Sequence, residues 1–398
     1  MRNTNKLILV LGALIALSPF SIDMYLPAFS GIASSLHSSV KEVGYSLTSY
    51  YAGLCVGQLV YGVLIDRFGR KKPLHIGLTL YLLASLACAF AGNLQLLILL
   101  RLLMALGGCV GMVAARAVVG DVFQEKDRAK VLSSLVLVMG VAPVIAPTIG
   151  GFVNDALGWR WVFGTMTLIA VVLILAVKFF LPETKKPDPG VALHPFSILR
   201  SYAEVIRNRA FTIYALTAGL AYAGMYAYIA GSPGVFMERF GLTSTAYGWA
   251  FAFNAIGLIA GSQLNKWALG KYAPVSICTV ATVMLVLTSV SMNLQNQYLG
   301  LNASFTIGYT FLFLFWIGFI NPTATALALG EIEVGAGRAS AILGSIQMIA
   351  GVAASWAVNF FDGGSHNTMS GVMLCCALLS LISLITGLGK GARSFLRS

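Results

Sequence analysis

Twelve long apolar segments, separated by short clusters of Gly, Pro, Asn and charged residues, run the length of this sequence. They lie near residues 7–29, 43–65, 73–92, 94–116, 130–153, 160–181, 210–230, 244–264, 273–293, 302–325, 338–361 and 368–388. Each is long enough for a helix across a bilayer, which takes about 20 apolar residues. Of the 398 residues, 58% are hydrophobic and 10% charged, which leaves little chain for a soluble domain. The sequence therefore predicts an all-α membrane protein with twelve transmembrane helices.

Positive charges are distributed unevenly over the loops between these segments. If the N-terminus is inside, the loops on the inner side carry Arg67, Arg70, Lys71, Lys72, Lys126, Arg128, Lys130, Lys185, Lys186, Arg200, Arg207, Arg209, Lys266, Lys271 and Arg338. The opposite loops carry only Lys41, Arg160 and Arg239. The positive-inside rule then predicts a multi-pass protein of the cell (inner) membrane with both termini in the cytoplasm. The basic residues follow the loops and form no patch, so no nucleic acid is expected as a partner.

The longest polar stretch, residues 182–209, falls midway along the chain and suits a cytoplasmic linker. It predicts an N-terminal half over 1–181 and a C-terminal half over 210–398. Gly62-Val-Leu-Ile-Asp66-Arg67 is echoed about half a chain length later by Gly261-Ser-Gln-Leu-Asn265-Lys266. Such an echo at equivalent loops favours two pseudo-symmetric six-helix halves, as in duplicated transporters. We expect the protein to be a monomer.

Motifs for ATP hydrolysis, zinc catalysis and a serine nucleophile are missing from the sequence. All six cysteines lie inside apolar segments without metal-ligand spacing. We therefore expect no enzyme activity, no metal and no cofactor. Transport has to be secondary, and the proton motive force would drive it. The expected partners are a small drug or metabolite, protons and membrane lipid.

Two full charges, Asp23 and Arg101, are predicted deep inside the membrane at similar depths. Burying either charge alone costs several kcal/mol, so we expect the two to face each other across the bundle interior. Asp23 is the predicted proton carrier, because the other acids are placed in loops or at helix ends. In the alternative interpretation, Asp23 merely ends a helix at the membrane surface, just before Pro27.

The tract GVLIDRFGRKKPL, residues 62–74, connects the second and third predicted helices. Asp66 lies at the C-terminal end of a helix, where the helix dipole disfavours a carboxylate and calls for a positive partner. The start of the eleventh helix, near Arg338, is the predicted partner. Gly69 allows a tight turn, and the basic residues can bind carboxylates or lipid phosphates. The tract supplies six candidates for conformational gating: Gly62, Asp66, Arg67, Gly69, Arg70 and Lys71.

The fifth predicted helix contains Pro143, Pro147, Gly150 and Gly151 within three turns. Prolines remove helix hydrogen bonds and bend the axis, and glycines permit close contact with a neighbouring helix. We expect a bending helix packed against a neighbour, with these four residues as further gating candidates. The alternative is a proline kink that faces lipid.

Five polar or aromatic residues in the second half are candidates for substrate binding: Tyr222, Tyr226, Asn254, Asn321 and Gln347. Tyr222 and Tyr226 lie one turn apart near the middle of the seventh helix, where they could stack on aromatic or cationic solutes or pack against helices. The three amides could contact a solute or form hydrogen bonds between helices.

Several of these motifs resemble known families. GVLIDRFGRKKPL resembles the signature loop of the major facilitator superfamily. Residues 142–151 are similar to the fifth-helix motif of its proton-coupled antiporters, with Ala146 in place of the usual Gly. Arg101 falls where drug antiporters have a fourth-helix arginine, although Met104 and Ala105 replace the common Gln and Gly. Similarity to the Bcr/CflA subfamily of multidrug efflux proteins rests on the segments 21–28, 115–121, 158–161, 181–184 and 230–233.

The resemblance implies the major facilitator fold and proton-driven export of small aromatic or amphipathic antibiotics. Bicyclomycin, sulfonamides and phenicols are precedents in the subfamily. The rival hypotheses are an exporter or uptake facilitator for a native metabolite and a membrane sensor with a transporter fold.

Overall fold

The computed structural model of the protein describes residues 2–123, 125–188, 205–298, 300, 302–332, 336–362 and 366–395. These residues form thirteen α-helices and no β-strand. The helices are α1 (Arg2–Asp23), α2 (Phe29–Ser35), α3 (Val40–Phe68), α4 (Lys71–Ala89), α5 (Leu94–Val122), α6 (Glu125–Leu157), α7 (Trp159–Phe180), α8 (Arg209–Pro233), α9 (Ser244–Ala268), α10 (Pro274–Tyr298), α11 (Ala303–Gly330), α12 (Ala336–Asp362) and α13 (His366–Phe395).

All helices except α2 have at least 19 residues, which confirms the predicted all-α architecture with twelve long helices. Within the described ranges, ten helical segments are long and apolar enough to cross a membrane. A π-helical stretch, Gly234–Arg239, extends α8. Polar caps explain several helix starts: Asn93, Asn208 and Asn302 each accept a hydrogen bond from a backbone N–H in the first turn.

The first apolar segment does not form the single helix that was predicted over 7–29. Helix α1 ends at Asp23, a 3-10 turn spans Leu26–Ala28, and α2 follows. Pro27 has no N–H group and cannot donate the next helical hydrogen bond to the Asp23 carbonyl, so the helix stops there. The break puts the Asp23 carboxylate at the C-terminal end of a helix.

The chain divides into two compact units. Unit 1 comprises Met1–Leu193 and Gly241–Ala252, and unit 2 comprises His194–Phe240 and Phe253–Ser398. In unit 1, α5 packs against α3 and α4, and α1 packs against α5, α6 and α7. In unit 2, α8 packs against α11, α12 and α13, and α10 packs against α11 and α13. The first two turns of α9 thus belong to unit 1, although they follow the predicted linker.

Only the ends of the predicted linker, residues 182–188 and 205–209, are among the described residues. The segment after α7 runs back along the loop between α3 and α4, where the Asp188 N–H donates a hydrogen bond of 3.1 Å to the Arg67 carbonyl. This arrangement brings Leu181-Pro-Glu-Thr beside the gating tract.

Candidate functional site

The side chain of Arg101 is buried against Ser21, Tyr25 and Tyr50. These four residues are here called the Arg101 pocket. Arg101 is 0% exposed. Its Nη1 donates a hydrogen bond of 3.0 Å to the Ser21 carbonyl oxygen. Its guanidinium carbon lies 4.4 Å from the ring centroid of Tyr25 and 4.2 Å from that of Tyr50. Two ring faces and a carbonyl thus replace hydration lost on burial, and Arg101 ties α5 to the last turn of α1.

Hydroxyl contacts hold the walls of this pocket in place. The hydroxyl groups of Ser21 and Tyr81 are 2.6 Å apart, and those of Tyr25 and Ser46 are 2.8 Å apart. Arg101 itself is not saturated: its Nε and Nη2 atoms have no hydrogen-bond partner among the described residues. Hydrogen bonds thus link the walls of the pocket, while two guanidinium nitrogens have no partner within the described part of the chain.

Asp23 lies two residues beyond Ser21 and is 3% exposed. It ends a helix, as the alternative interpretation supposed, and it is buried inside the protein. Its depth in the membrane stays a prediction. No hydrogen-bond or ion-pair partner of its carboxylate is found in the described part of the chain. A buried carboxyl without a counter-charge is suited to bind and release a proton.

The ion pair expected between Asp23 and Arg101 is not found among the described residues. The reason is geometric, since the Arg101 guanidinium is directed to the Ser21 carbonyl and enclosed by the two tyrosine rings. The two charges share a region of unit 1 without neutralising each other.

A second cluster of charges surrounds Arg70 in the gating tract. Arg70 donates from Nε and Nη2 to both carboxylate oxygens of Asp121, at 2.8 and 3.1 Å. Its Nη1 donates to Asp66 at 2.8 Å and to the Ile65 carbonyl at 2.9 Å. Burial lowers the pKa of Arg70, but the hydrogen bonds to Asp121 and Asp66 outweigh this effect and raise it. Arg70 thus fastens the ends of α3 and α5 together.

The segment after α7 completes this cluster, here called the Arg70 cluster. Glu183 accepts hydrogen bonds from the backbone N–H groups of Arg70 and Lys71, at 2.7 and 3.0 Å, and so caps the N-terminus of α4. Thr184 donates to Asp121 at 2.8 Å, and Lys185 donates to Asp66 at 3.1 Å. Three helix ends and the start of the linker are therefore joined through one arginine and its carboxylates.

In the structure, the positive partners of Asp66 are Arg70 and Lys185. The sequence had predicted the start of the eleventh helix as its partner. The side chain of Arg338 lies outside the described residues, so its contact with Asp66 stays a prediction. Arg67 stacks on Phe68, and the Lys71 amino group donates to the Lys178 carbonyl at 3.4 Å. The other gating candidate here, Gly62, has open space around it.

Gly69 and Gly62 make a matched pair for a stability test. Gly69 has φ +82° and ψ 177°, a region that is essentially restricted to glycine, and a Cβ there would lie 3.0 Å from Glu183 Oε2. We expect Gly69→Ala to cost about 1–3 kcal/mol of stability. Gly62→Ala should be neutral or stabilising by about 0.5–1 kcal/mol, because Gly62 is helical and unobstructed. Thermal unfolding in detergent measures both, and equal melting temperatures would refute the role of Gly69.

The glycines of α6 allow close backbone contact. A Cβ at Gly150 would collide with the Met24 backbone, and one at Gly151 would lie 2.7 Å from the Ser244 carbonyl oxygen. Helix α6 is continuous through Pro143 and Pro147. Its end also holds the start of α9, where Asp155 accepts hydrogen bonds from the Thr245 N–H and hydroxyl at 3.1 and 2.6 Å. These residues lie at helix contacts, and their gating role stays a prediction.

In unit 2, Tyr222 and Tyr226 face each other edge-on with ring centroids 5.8 Å apart. Tyr226 is buried against α12, where its ring lies on Gly351 and its hydroxyl contacts the Met348 sulfur at 3.8 Å. Tyr222 is half-buried. Tyr226 thus has the contacts of a packing residue, and Tyr222 keeps part of its ring accessible.

The three amides of unit 2 link helices. Asn254 is fully buried, and its Nδ2 donates to the hydroxyls of Tyr228 and Thr310, each at 2.9 Å. Gln347 Nε2 donates to Asn321 Oδ1 at 2.8 Å, which joins α12 to α11. The contacts of Asn254 fit the alternative that it forms hydrogen bonds between helices. Its side chain is enclosed between α8, α9 and α11 and is not accessible to a solute. Asn321 and Gln347 are half-buried and remain candidates for substrate contact.

Sequence reasoning missed Asp121, Glu183, Thr184 and Lys185 as members of the Arg70 cluster. Asp121 and Glu183 were noted only inside motifs that carry the family resemblance. A signal was present, since Asp121, Glu183 and Lys185 are charges just beyond the end of a predicted helix, close to the same membrane surface as Arg70. The sequence did not say which opposite charges would meet.

A family model described as Major Facilitator Superfamily matches residues 11–355. The uncharacterized MFS-type transporter YdgK of Bacillus subtilis is 31% identical over 344 residues, which cover 86% of this chain and 85% of that protein. The bicyclomycin resistance protein homolog of Haemophilus influenzae is 28% identical over 388 residues, 96% of each chain. The multidrug resistance protein MdtL of Escherichia coli is 28% identical over 374 residues, 94% of this chain and 93% of that one.

Among solved structures, a D-xylose-proton symporter matches 96% of each chain with a TM-score of 0.75. Its sequence identity of 14% means that this similarity concerns the fold alone. The matches together agree with the predicted twelve-helix fold and with the family resemblance seen in the sequence.

Proposed function

The chain belongs to the major facilitator superfamily, a family of transporters and not of enzymes, and on that premise we propose that it is a proton-driven antiporter that exports small aromatic or amphipathic drugs. It would work by alternating access in the cell membrane, with both termini in the cytoplasm. Similarity to a bicyclomycin resistance protein homolog and to the multidrug resistance protein MdtL supports this substrate class.

The observation that carries the proposal is the position of Asp23. Its carboxyl is buried at the end of α1, two residues from the carbonyl held by Arg101, and no counter-charge to it is found among the described residues. Loss of a proton would create a negative charge at the C-terminal end of a helix dipole, which is unfavourable. The free Nε and Nη2 donors of Arg101 offer that charge a partner, if the end of α1 moves. Proton release would thus be linked to a movement of α1.

Substrate binding is proposed at the candidate residues of the second half, because duplicated transporters bind their substrates near the bilayer midplane. Tyr222 would present its accessible ring to the substrate. Asn321 and Gln347, which also lie in the second half, would offer polar contacts. An aromatic surface without a fixed pattern of hydrogen bonds suits a range of drugs better than one metabolite.

Everted membrane vesicles test the direction of coupling. Respiration acidifies the lumen, and an antiporter that takes up drug must release protons from it, which a fluorescent pH probe records as a loss of the gradient. We expect bicyclomycin or chloramphenicol to collapse the gradient in vesicles that contain the protein and not in vesicles without it. A protein that leaves the gradient intact with these drugs and responds only to a metabolite would support the rival transport function.

The tyrosine pair separates binding from packing. We expect Tyr222→Ala to change the resistance profile among aromatic drugs without changing protein yield, because the ring is half-exposed. Tyr226→Ala should lower yield, since truncating a buried aromatic ring costs about 3–5 kcal/mol. Minimum inhibitory concentrations over a drug panel, read beside immunoblots, measure both effects. If all drugs fall together with protein level in Tyr222→Ala, that tyrosine is a packing residue as well.

A further inference from the structure

Arg116 stands apart from the other arginines near the two charged clusters of unit 1. Arg101 contacts a carbonyl and two rings, and Arg70 binds two carboxylates. For Arg116 no hydrogen-bond, ion-pair or ring partner is found within the described residues. Its side chain is exposed, yet the surrounding protein removes part of the hydration of its guanidinium. An accessible but partly desolvated cation is thus left without an anion.

The position of Arg116 on α5 separates it from the Arg101 pocket. The two arginines are fifteen positions apart on the helix, a distance of roughly 22 Å along the axis. Arg116 is six residues before the end of α5 at Val122, or roughly 9 Å inside a segment long and apolar enough to span a membrane. Ionisable residues in such segments are rare, costly and usually functional. The cost is offset if a ligand supplies the missing charge.

We propose that Arg116 binds an anionic oxygen group of the transported solute, such as a carboxylate, a sulfonate or a deprotonated sulfonamide. This inference rests on the proposed export function and narrows its substrate class. A guanidinium offers planar paired donors that match two oxygens of such a group, and it stays charged throughout the physiological pH range. Arg116 would therefore act as a selectivity residue for acidic substrates, and neutral drugs would bind without its help.

Two fluorescent probes of the same size test the idea, an aromatic carboxylate and the corresponding carboxamide. Binding of each to purified wild-type protein, Arg116→Gln and Arg116→Lys is measured in nanodiscs of neutral lipid. We expect Arg116→Gln to weaken binding of the carboxylate by about 10-fold to 100-fold and to leave binding of the carboxamide unchanged. Arg116→Lys should retain part of the carboxylate affinity, because it keeps the charge and loses the paired geometry.

Three results would overturn the proposal. Equal loss of both probes in Arg116→Gln, with normal yield, would make Arg116 a structural or gating residue. Unchanged carboxylate binding would remove it from the site. A carboxylate preference that is abolished by phosphatidylglycerol in the nanodiscs would identify a lipid headgroup as the natural anion. The vesicle experiment shows separately whether the export function itself fails. In that case neutral drugs, too, would leave the proton gradient of wild-type vesicles intact.

Discussion

Replacing Arg101 by alanine is expected to lower the stability of the protein by about 3–5 kcal/mol, the range seen when large buried side chains are truncated. The substitution empties a fully buried pocket between two tyrosine rings and leaves the Ser21 carbonyl without its 3.0 Å hydrogen bond. It also removes the contact that holds α5 to the end of α1. Folded yield and thermal unfolding in detergent measure the loss.

Arg160 provides a matched control for this prediction. Its guanidinium also stacks on an aromatic ring, 4.2 Å from the Trp159 centroid, but the side chain is exposed. Arg160→Ala should cost less than about 1 kcal/mol, because an exposed cation–π contact contributes little. If Arg101→Ala and Arg160→Ala were equally mild, burial in the Arg101 pocket would not be a source of stability.

The double variant Arg101→Ala with Asp23→Asn examines the missing ion pair. Because no such pair is found among the described residues, the two changes should act additively on stability, within about 0.5 kcal/mol. Recovery of yield in the double variant would indicate that Asp23 and Arg101 neutralise each other in the resting protein.

Asp23→Asn is expected to abolish proton-driven efflux while leaving the protein folded. Asparagine keeps the size of the side chain but cannot exchange a proton, and within the described ranges the buried carboxyl has no ion pair that the change would break. Drug accumulation should rise to the level of cells without the protein, and the vesicle gradient should no longer respond to drug.

Glu238→Gln is the control for loss of a negative charge, since Glu238 is exposed and lies in the π-helical stretch after α8. It should transport like the wild type. Wild-type drug efflux in Asp23→Asn would exclude Asp23 as the proton carrier. A fall in yield as large as the fall in transport would give Asp23 a structural role instead.

Periodicity and charge explain why so much of the fold could be predicted. A transmembrane helix needs about 20 apolar residues whatever surrounds it, so twelve runs predict twelve long helices. The break in the first of them is a partial failure of the same reasoning. Pro27 was visible, but a proline alone does not predict a break, since α6 is continuous through Pro143 and Pro147.

Contacts between distant charges were harder to predict. The free-energy cost of burying a charge singled out Asp23 and Arg101 as unusual, and both are buried. This cost could not show whether the two side chains meet, because a buried arginine can also be stabilised by carbonyls and ring faces. The Arg101 pocket draws on Ser21, Tyr25 and Tyr50, which are close to Arg101 in space but far from it in sequence.

The sequence by itself determined the helical membrane architecture, the charged tract 62–74 and the family resemblance, because these follow from local composition and short motifs. Only the tertiary structure decided that Asp66 pairs with Arg70 and Lys185, that Glu183 caps α4, and that Asn254 is enclosed by three helices. A side chain's partner depends on which helix faces pack together. That packing is a property of the whole chain, and no single segment encodes it.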